Sequence, residues 1–202
     1  MPVNTKQFLD NILKNLEHMD HIKSADIPNI SLYMDQVTTF MDAHLADQKR
    51  FKHDKILTKT MINNYAKNNL LPPPEKKKYS REHMLVMLFI YYFKAFLSIT
   101  DIQAILNPLT EKYFQSDAGF NLESVYNEVF LLEKEQIDRL KGNILEMYDT
   151  SEKTFSDAAP EDREFLQQFS FICLLSFDVY MKKQIIERLI DQSLQNEDEK
   201  NK

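Results

Sequence analysis

The residues best suited to chemistry lie between Thr58 and Arg81. Met61, Ile62, Tyr65 and Ala66 recur at the spacing of one helical face, and Lys59, Thr60, Asn63, Asn64 and Lys67 fall on the other. The spacing predicts a short helix with Thr58 at its N-cap, where a side-chain oxygen takes a backbone N–H that has no partner inside the helix. One face is core and the other is a contact surface. Asparagine competes with the backbone for hydrogen bonds, so two adjacent exposed Asn weaken a helix unless they serve another purpose. An Asn amide pairs in bidentate fashion with the N6 and N7 edge of adenine, and Thr or Lys beside it reaches bases or phosphates. The plainer reading is a set of amides that face water.

The helix must then stop. Asn68 and Asn69 tolerate a left-handed C-cap, and Pro72, Pro73 and Pro74 cannot continue the ladder. Lys76, Lys77 and Lys78, followed by Tyr79 and Arg81, make a cationic tip that suits phosphate neutralisation, with the Tyr79 hydroxyl as a further donor. Taken alone, such a charge run is equally a solvated loop. Its position directly after a polar-faced helix favours a DNA-reading unit, with the helix over 58–68, Thr58 included, and a lysine-rich wing over 75–81 meeting the duplex.

The elements that must position these residues are helical. The 202 residues are 43% hydrophobic, with two glycines and no Trp, which predicts an all-α protein with at most a small β-wing. The net charge of −6 is unevenly spread: residues 49–81 hold ten basic and two acidic side chains, +8 in all, leaving −14 elsewhere. A basic island in an acidic chain fits a modular DNA binder, because the acidic remainder repels phosphates and orients the approach. The lone Cys173 excludes an intramolecular disulfide and suits a reducing cytoplasm. No charged-then-apolar leader opens the chain, and the longest apolar run, residues 84–93, falls far short of the roughly twenty needed to span a bilayer. The expectation is a soluble, cytoplasmic protein without a membrane partner.

Four segments, in order and spacing, resemble the MerR-type winged-helix signature: Thr60-Met61-Ile62-Asn63-Asn64-Tyr65, Asn69-Leu70-Leu71-Pro72-Pro73, Lys77-Lys78-Tyr79-Ser80 and Leu97-Ser98-Ile99-Thr100-Asp101-Ile102. The resemblance implies that these are the recognition helix, its exit, the wing, and the helix pair bracing the wing. The whole chain is also similar to a bacterial family of unknown function, numbered 1836 among such domains, which carries the same unit. Asn63 and Lys77 stand where that family usually has Arg, so its phosphate clamps are weakened or replaced here. Asn69 stands where a glycine is usual, and Asn still reaches the left-handed conformation. The resemblance implies double-stranded DNA as partner, a homodimer that engages two half-sites, and an effector site of unknown identity in many members; the plainer alternative is that residues from about 120 onward fold back on their own strut as a monomeric bundle.

The expected layout is an N-terminal helix over residues 1–26, a MerR-like winged helix-turn-helix over 27–110, a helical bundle for dimerisation or effector binding over 111–195, and a loose charged tail over 196–202. Phe8, Leu9, Ile12, Leu13 and Leu16 form the stripe of the first helix, which needs a partner to bury it. His18 and His21 stand one turn apart, but with no Cys near them they read as surface rather than metal ligands. Asn29 or Ser31 would cap a helix carrying Leu32, Tyr33, Val37, Phe40, Met41 and His44. The polar and basic stretch 46–55 is too long for a tight turn, so either the second helix of the unit continues through it or the motif carries an insertion. Ser80 opens a helix whose centre is apolar all round and therefore buried, with Tyr91, Tyr92, Phe93 and Phe96 packing beyond it. Ser98 caps a short helix ending near Leu106, and Pro108 begins another reaching Phe114. A long amphipathic helix begins at Leu122, and the last helix, from about Glu161 to Ser193, is the most apolar and wants partners on several sides.

No constellation supports catalysis. There is no phosphate-cradling glycine loop, no metal-ligand spacing and no activated nucleophile, and Cys173 sits in an apolar run where a thiol is inert. The expectation is a non-enzyme without cofactor or metal. Two rivals to the DNA reader remain. One is a protein-interaction module on a winged-helix scaffold, whose partner binding survives changes to the lysines. The other is a helical sensor with a small molecule between the last two helices.

Overall fold

A computed structural model describes residues 5–16 and 22–200 of the chain. It is mostly helical, as composition predicts: α1 (Thr5–Leu16), α2 (Met34–His44), α3 (Lys59–Lys67), α4 (Arg81–Phe93), α5 (Ile99–Tyr113), α6 (Leu122–Ser151) and α7 (Pro160–Lys200), with strands β1 (Leu32–Tyr33) and β2 (Lys78–Tyr79). The chain divides into two compact units, one of Met1–His18 with Leu131–Ser193, the other of Met19–Phe130 with Leu194–Lys202. His18 and His21 lie outside the described residues.

In the second unit, β1 and β2 pair antiparallel, Leu32 opposite Tyr79 and Tyr33 opposite Lys78. This ties the residues before α2 to those just before α4. It also corrects the expected start of α2: residues 32–33 are strand, and the helix opens at Met34 with the Tyr33 N–H donating to Gln36 Oε1 at 2.9 Å. α2 packs on α3 and on β2, and α4 packs on β2 and α5. Residues 84–90 of α4 are each at most 5% exposed, so that helix is buried on all sides. Around it close Val37, Met41, Ile62, Leu70, Leu71, Ile102, Leu106 and Tyr126. Tyr126 satisfies its hydroxyl by donating to the Ile22 carbonyl at 2.6 Å, as a buried phenol must. Phe96 is exposed, against expectation.

Of the two alternatives for the stretch after α2, the continued helix is excluded: a short 3-10 turn, Ala46–Gln48, leads into irregular chain up to Thr58, as an insertion would. One further expectation is corrected. α5 runs unbroken through Pro108. An interior proline costs a helix about 3 kcal/mol, which buried Ile102 and Leu106 on the preceding turns help to offset.

In the first unit, Leu9 and Leu13 of α1 bury against Tyr148 of α6 and Phe171 of α7, with Ile144, Met147 and Leu175 around them. The α6–α7 connection is held by side chains bonded to backbone. Arg163 donates to the carbonyls of Ser156 (2.8 Å) and Ala158 (3.0 Å), and Gln167 to those of Glu152 (2.6 Å) and Thr154 (3.2 Å). α7 continues to Lys200, so residues 196–200, expected to be loose, are helical. Much of its apolar surface stays uncovered. Phe165, Phe169, Phe177, Met181, Ile185 and Leu189, on one row of every-fourth positions with half-buried Cys173, are 53–68% exposed. Among the described residues no helix is long and apolar enough to cross a membrane.

Candidate nucleic-acid interface

α3 is nine residues long, too short to be stable alone, and its neighbours hold it. Thr58 caps it as expected, its Oγ1 accepting from the Met61 N–H at 3.1 Å. Ile62 and Tyr65 are buried, Met61 and Ala66 half-buried, and Lys59, Thr60, Asn63, Asn64 and Lys67 exposed. The two faces are those that the spacing predicts. The helix ends in a Schellman cap: Asn69 takes φ 55°, the Leu70 N–H donates to the Tyr65 carbonyl at 2.9 Å, and the Asn69 N–H to that of Ala66 at 3.3 Å. Gln103 of α5 donates to the carbonyl of Asn68, so α5 braces the same end.

The basic tip is a tight turn. The Lys78 N–H donates to the Glu75 carbonyl at 2.9 Å, and Lys76 and Lys77 between them have φ of 49° and 64°. Two consecutive left-handed residues closed by that bond make the mirror-image turn favoured at hairpin ends. Asn-Gly is the usual pair at these positions. Lysine pays roughly 1 kcal/mol at each for the close approach of its Cβ to the backbone. Both side chains are thereby thrust outward and exposed.

His83 anchors the base of this turn. It is 1% exposed, its Nδ1 accepts from the Ser80 N–H at 3.0 Å, and its Nε2 donates to the Pro73 carbonyl at 3.3 Å. Burial pushes its pKa below the ordinary value of 6.5, because the charged ring would lose both water and its acceptor role. The neutral ring thus ties the proline exit of α3 to the start of α4.

Two of the residues assigned to the interface do not belong there. Tyr79 is 3% exposed; it is a core residue of β2, paired with Leu32 and edge-on to His83, and offers no hydroxyl at the tip. Arg81 turns inward to Glu123 (2.8 Å) and the Ser24 carbonyl (2.6 Å). Lys78 is half-buried, its ammonium 5.0 Å from the centre of the Tyr33 ring. Lys59 pairs with Asp35 of α2, but both groups are more than half exposed, and such a pair is worth at most about 1 kcal/mol. Lys49 pairs with Asp42 at 3.0 Å. Among the described residues no ion pair holds Lys67, Lys76 or Lys77.

Sequence reasoning passed over Lys94. It closes the C-terminal end of α4, donating to the Ile56 carbonyl at 2.7 Å and lying 5.0 Å from the centre of the Tyr91 ring. Burial pushes its ammonium below the usual lysine range. The available signal was a single charge within the otherwise apolar stretch 84–97.

Residues 22–129 match the family described as Domain of unknown function (DUF1836), and the chain belongs to it. The matched span nearly coincides with the continuous part of the second unit, Met19–Phe130, and contains every element of the surface just described. No curated protein and no solved structure matches the chain.

Proposed function

We propose that this protein binds duplex DNA as a homodimer, each protomer using β1, α2, α3, the lysine turn and α4 as a MerR-like winged helix-turn-helix unit. The observation that carries the reading is α3 itself: a nine-residue helix held from behind by Ile62 and Tyr65 that turns two lysines, one threonine and two asparagines outward. In this reading α3 enters the major groove, Asn63 and Asn64 meet base edges, Thr60 and Lys67 stand beside them, and Lys59 exchanges Asp35 for a phosphate. Lys76 and Lys77 contact the backbone from the turn, and partly covered Lys78 adds charge at its base. Thr58 acts as a cap, and Tyr79 and Arg81 hold the unit together rather than touching DNA.

The row from Phe165 to Leu189 supports the dimer. Together with Ile172, Val179 and Tyr180 it leaves on the order of 900 Å² of apolar side chain uncovered, but the row drifts about 40° per step and winds round most of the helix, so a single partner covers only part of it. Neighbouring members of the row, such as Phe177, Met181 and Ile185, lie within about 80° of one another and pack into the groove of a second helix.

Selection from a genomic fragment pool, followed by fluorescence anisotropy, tests the reading. Wild-type protein retains a defined sequence, with affinity falling steeply as salt rises from 50 to 200 mM (about tenfold or more for a few released counterions). The Asn63→Ala/Asn64→Ala variant loses sequence discrimination. Failure to retain DNA at low salt sinks the proposal. Three pairs, Lys49–Asp42, Lys59–Asp35 and Arg81–Glu123, spend basic charge within the chain, and this favours a second reading as a protein-interaction module. That module would capture a protein partner equally well after Lys76→Ala/Lys77→Ala.

A further inference from the structure

A groove of about 570 Å³ lies between the irregular stretch after α2 and the C-terminal end of α4. Lys49, Arg50, Lys55 and Lys94 supply four cations to its walls, and Tyr91 and Tyr92 supply aromatic surface. Asp54 is the one carboxylate among the lining residues. It accepts from the Phe51 N–H at 2.9 Å, and its other oxygen lies 3.9 Å from His53 Nε2. Lys49 is matched by Asp42 at 3.0 Å, while among the described residues no carboxylate pairs with Arg50, Lys55 or Lys94. Lys94 is the costly member: half-buried, it has a carbonyl and a ring face as its neighbours where a counter-ion would compensate its desolvation. An uncompensated cluster of this kind stands ready for an anion from outside the chain.

We propose that this groove binds a small phosphate-bearing metabolite of up to about mononucleotide size, with Lys94 and Lys55 on its phosphate. The volume falls within the range of small-molecule sites, roughly 300–1,000 Å³. Arg50 offers a planar fork and the lysines point charges, the combination that takes up a phosphate dianion. Tyr91 and Tyr92 give a ring-bearing ligand a surface to lie on. Lys94, Tyr91 and Tyr92 belong to no part of the proposed DNA contact, so the inference does not rest on that reading.

The test is thermal shift and isothermal titration on the full chain without DNA, using AMP and pyrophosphate, with citrate and chloride at matched ionic strength as controls. Wild-type protein shows a saturable rise in Tm with both phosphates and little with the controls. Binding weakens by roughly tenfold or more in Lys94→Met and in Lys55→Ala, as loss of a charge-assisted bond requires. Lys94→Met removes a half-buried charge together with its bond to the Ile56 carbonyl, two opposing effects, so its unliganded Tm moves little; Lys55 is exposed on the loop, so its variant folds regardless. No saturable binding, an equal response to citrate, or unchanged binding in both variants overturns the proposal. So does a Lys94→Met protein that loses duplex affinity while the wild type ignores both small phosphates, since the groove would then be serving the DNA backbone.

Discussion

Residues 84–90 of α4 are each at most 5% exposed, whereas six large apolar side chains on one row of α7 are more than half exposed. Both helices are rich in Leu, Ile, Met and Phe. The difference lies in what the chain itself supplies as cover. α4 is enclosed by elements of its own unit, from β2 to α5, and that unit is nearly the span shared with the family. α7 finds Leu9, Leu13 and Tyr148 for Phe171, whereas among the described residues the row from Phe165 to Leu189 stays largely exposed. One core is closed by its own unit; the other leaves an apolar row open, which the proposed dimer would cover in part.

The contrast breaks first under truncation. Leu88→Ala opens a cavity in a packed core and lowers unfolding free energy by about 2–5 kcal/mol in urea titrations, at any protein concentration. Phe177→Ala costs far less within the protomer, and its effect on Tm depends on protein concentration, as a subunit contact requires. Equal, concentration-independent losses at both positions would erase the distinction. A sharper version is Phe177→Asp/Ile185→Asp, which places charges in the proposed interface. Light scattering would then give the mass of one chain where wild type gives two, with helix content unchanged.

pH probes the closed unit alone. His83 has a lowered pKa in the fold, so below about 6.5 the unfolded chain takes up a proton that the native ring refuses. Its contribution is present in full above that pH and is lost as pH falls toward the depressed native value. Urea midpoints measured from pH 7.5 to 5.5 should therefore decline more steeply in wild type than in His83→Gln. The smallest effect is at the tip. Lys76→Asn/Lys77→Gly relieves two left-handed lysines and stabilises by about 0.5–1 kcal/mol in total, while removing two cations and weakening duplex binding.

What the sequence made legible is what neighbouring residues decide. The cap at Thr58, the two faces of α3, the left-handed Asn69 and the buried centre of α4 follow from spacing and local chemistry, and all stand in the fold. What remained hidden depends on partners far along the chain. Tyr79 reads as a tip residue until Leu32, 47 positions earlier, is seen opposite it in the strand pair. Arg81 reads as free charge until Glu123 and Ser24 claim it. Pro108 looks like a helix start because local rules weigh its missing N–H but not the burial of Ile102 and Leu106 on the turns before it. The α7 row was legible as apolar, yet spacing cannot say whether its cover comes from the same chain.

The lysine turn also bears on how the protein meets a protease. Trypsin needs several residues of extended backbone on both sides of a scissile lysine, and residues 76 and 77 are coiled into the opposite hand, closed by the bond from Lys78 to Glu75. Three adjacent lysines would ordinarily be the first place to cut. Here digestion should begin instead between Lys49 and Lys55, leaving the tip intact in the earliest fragments.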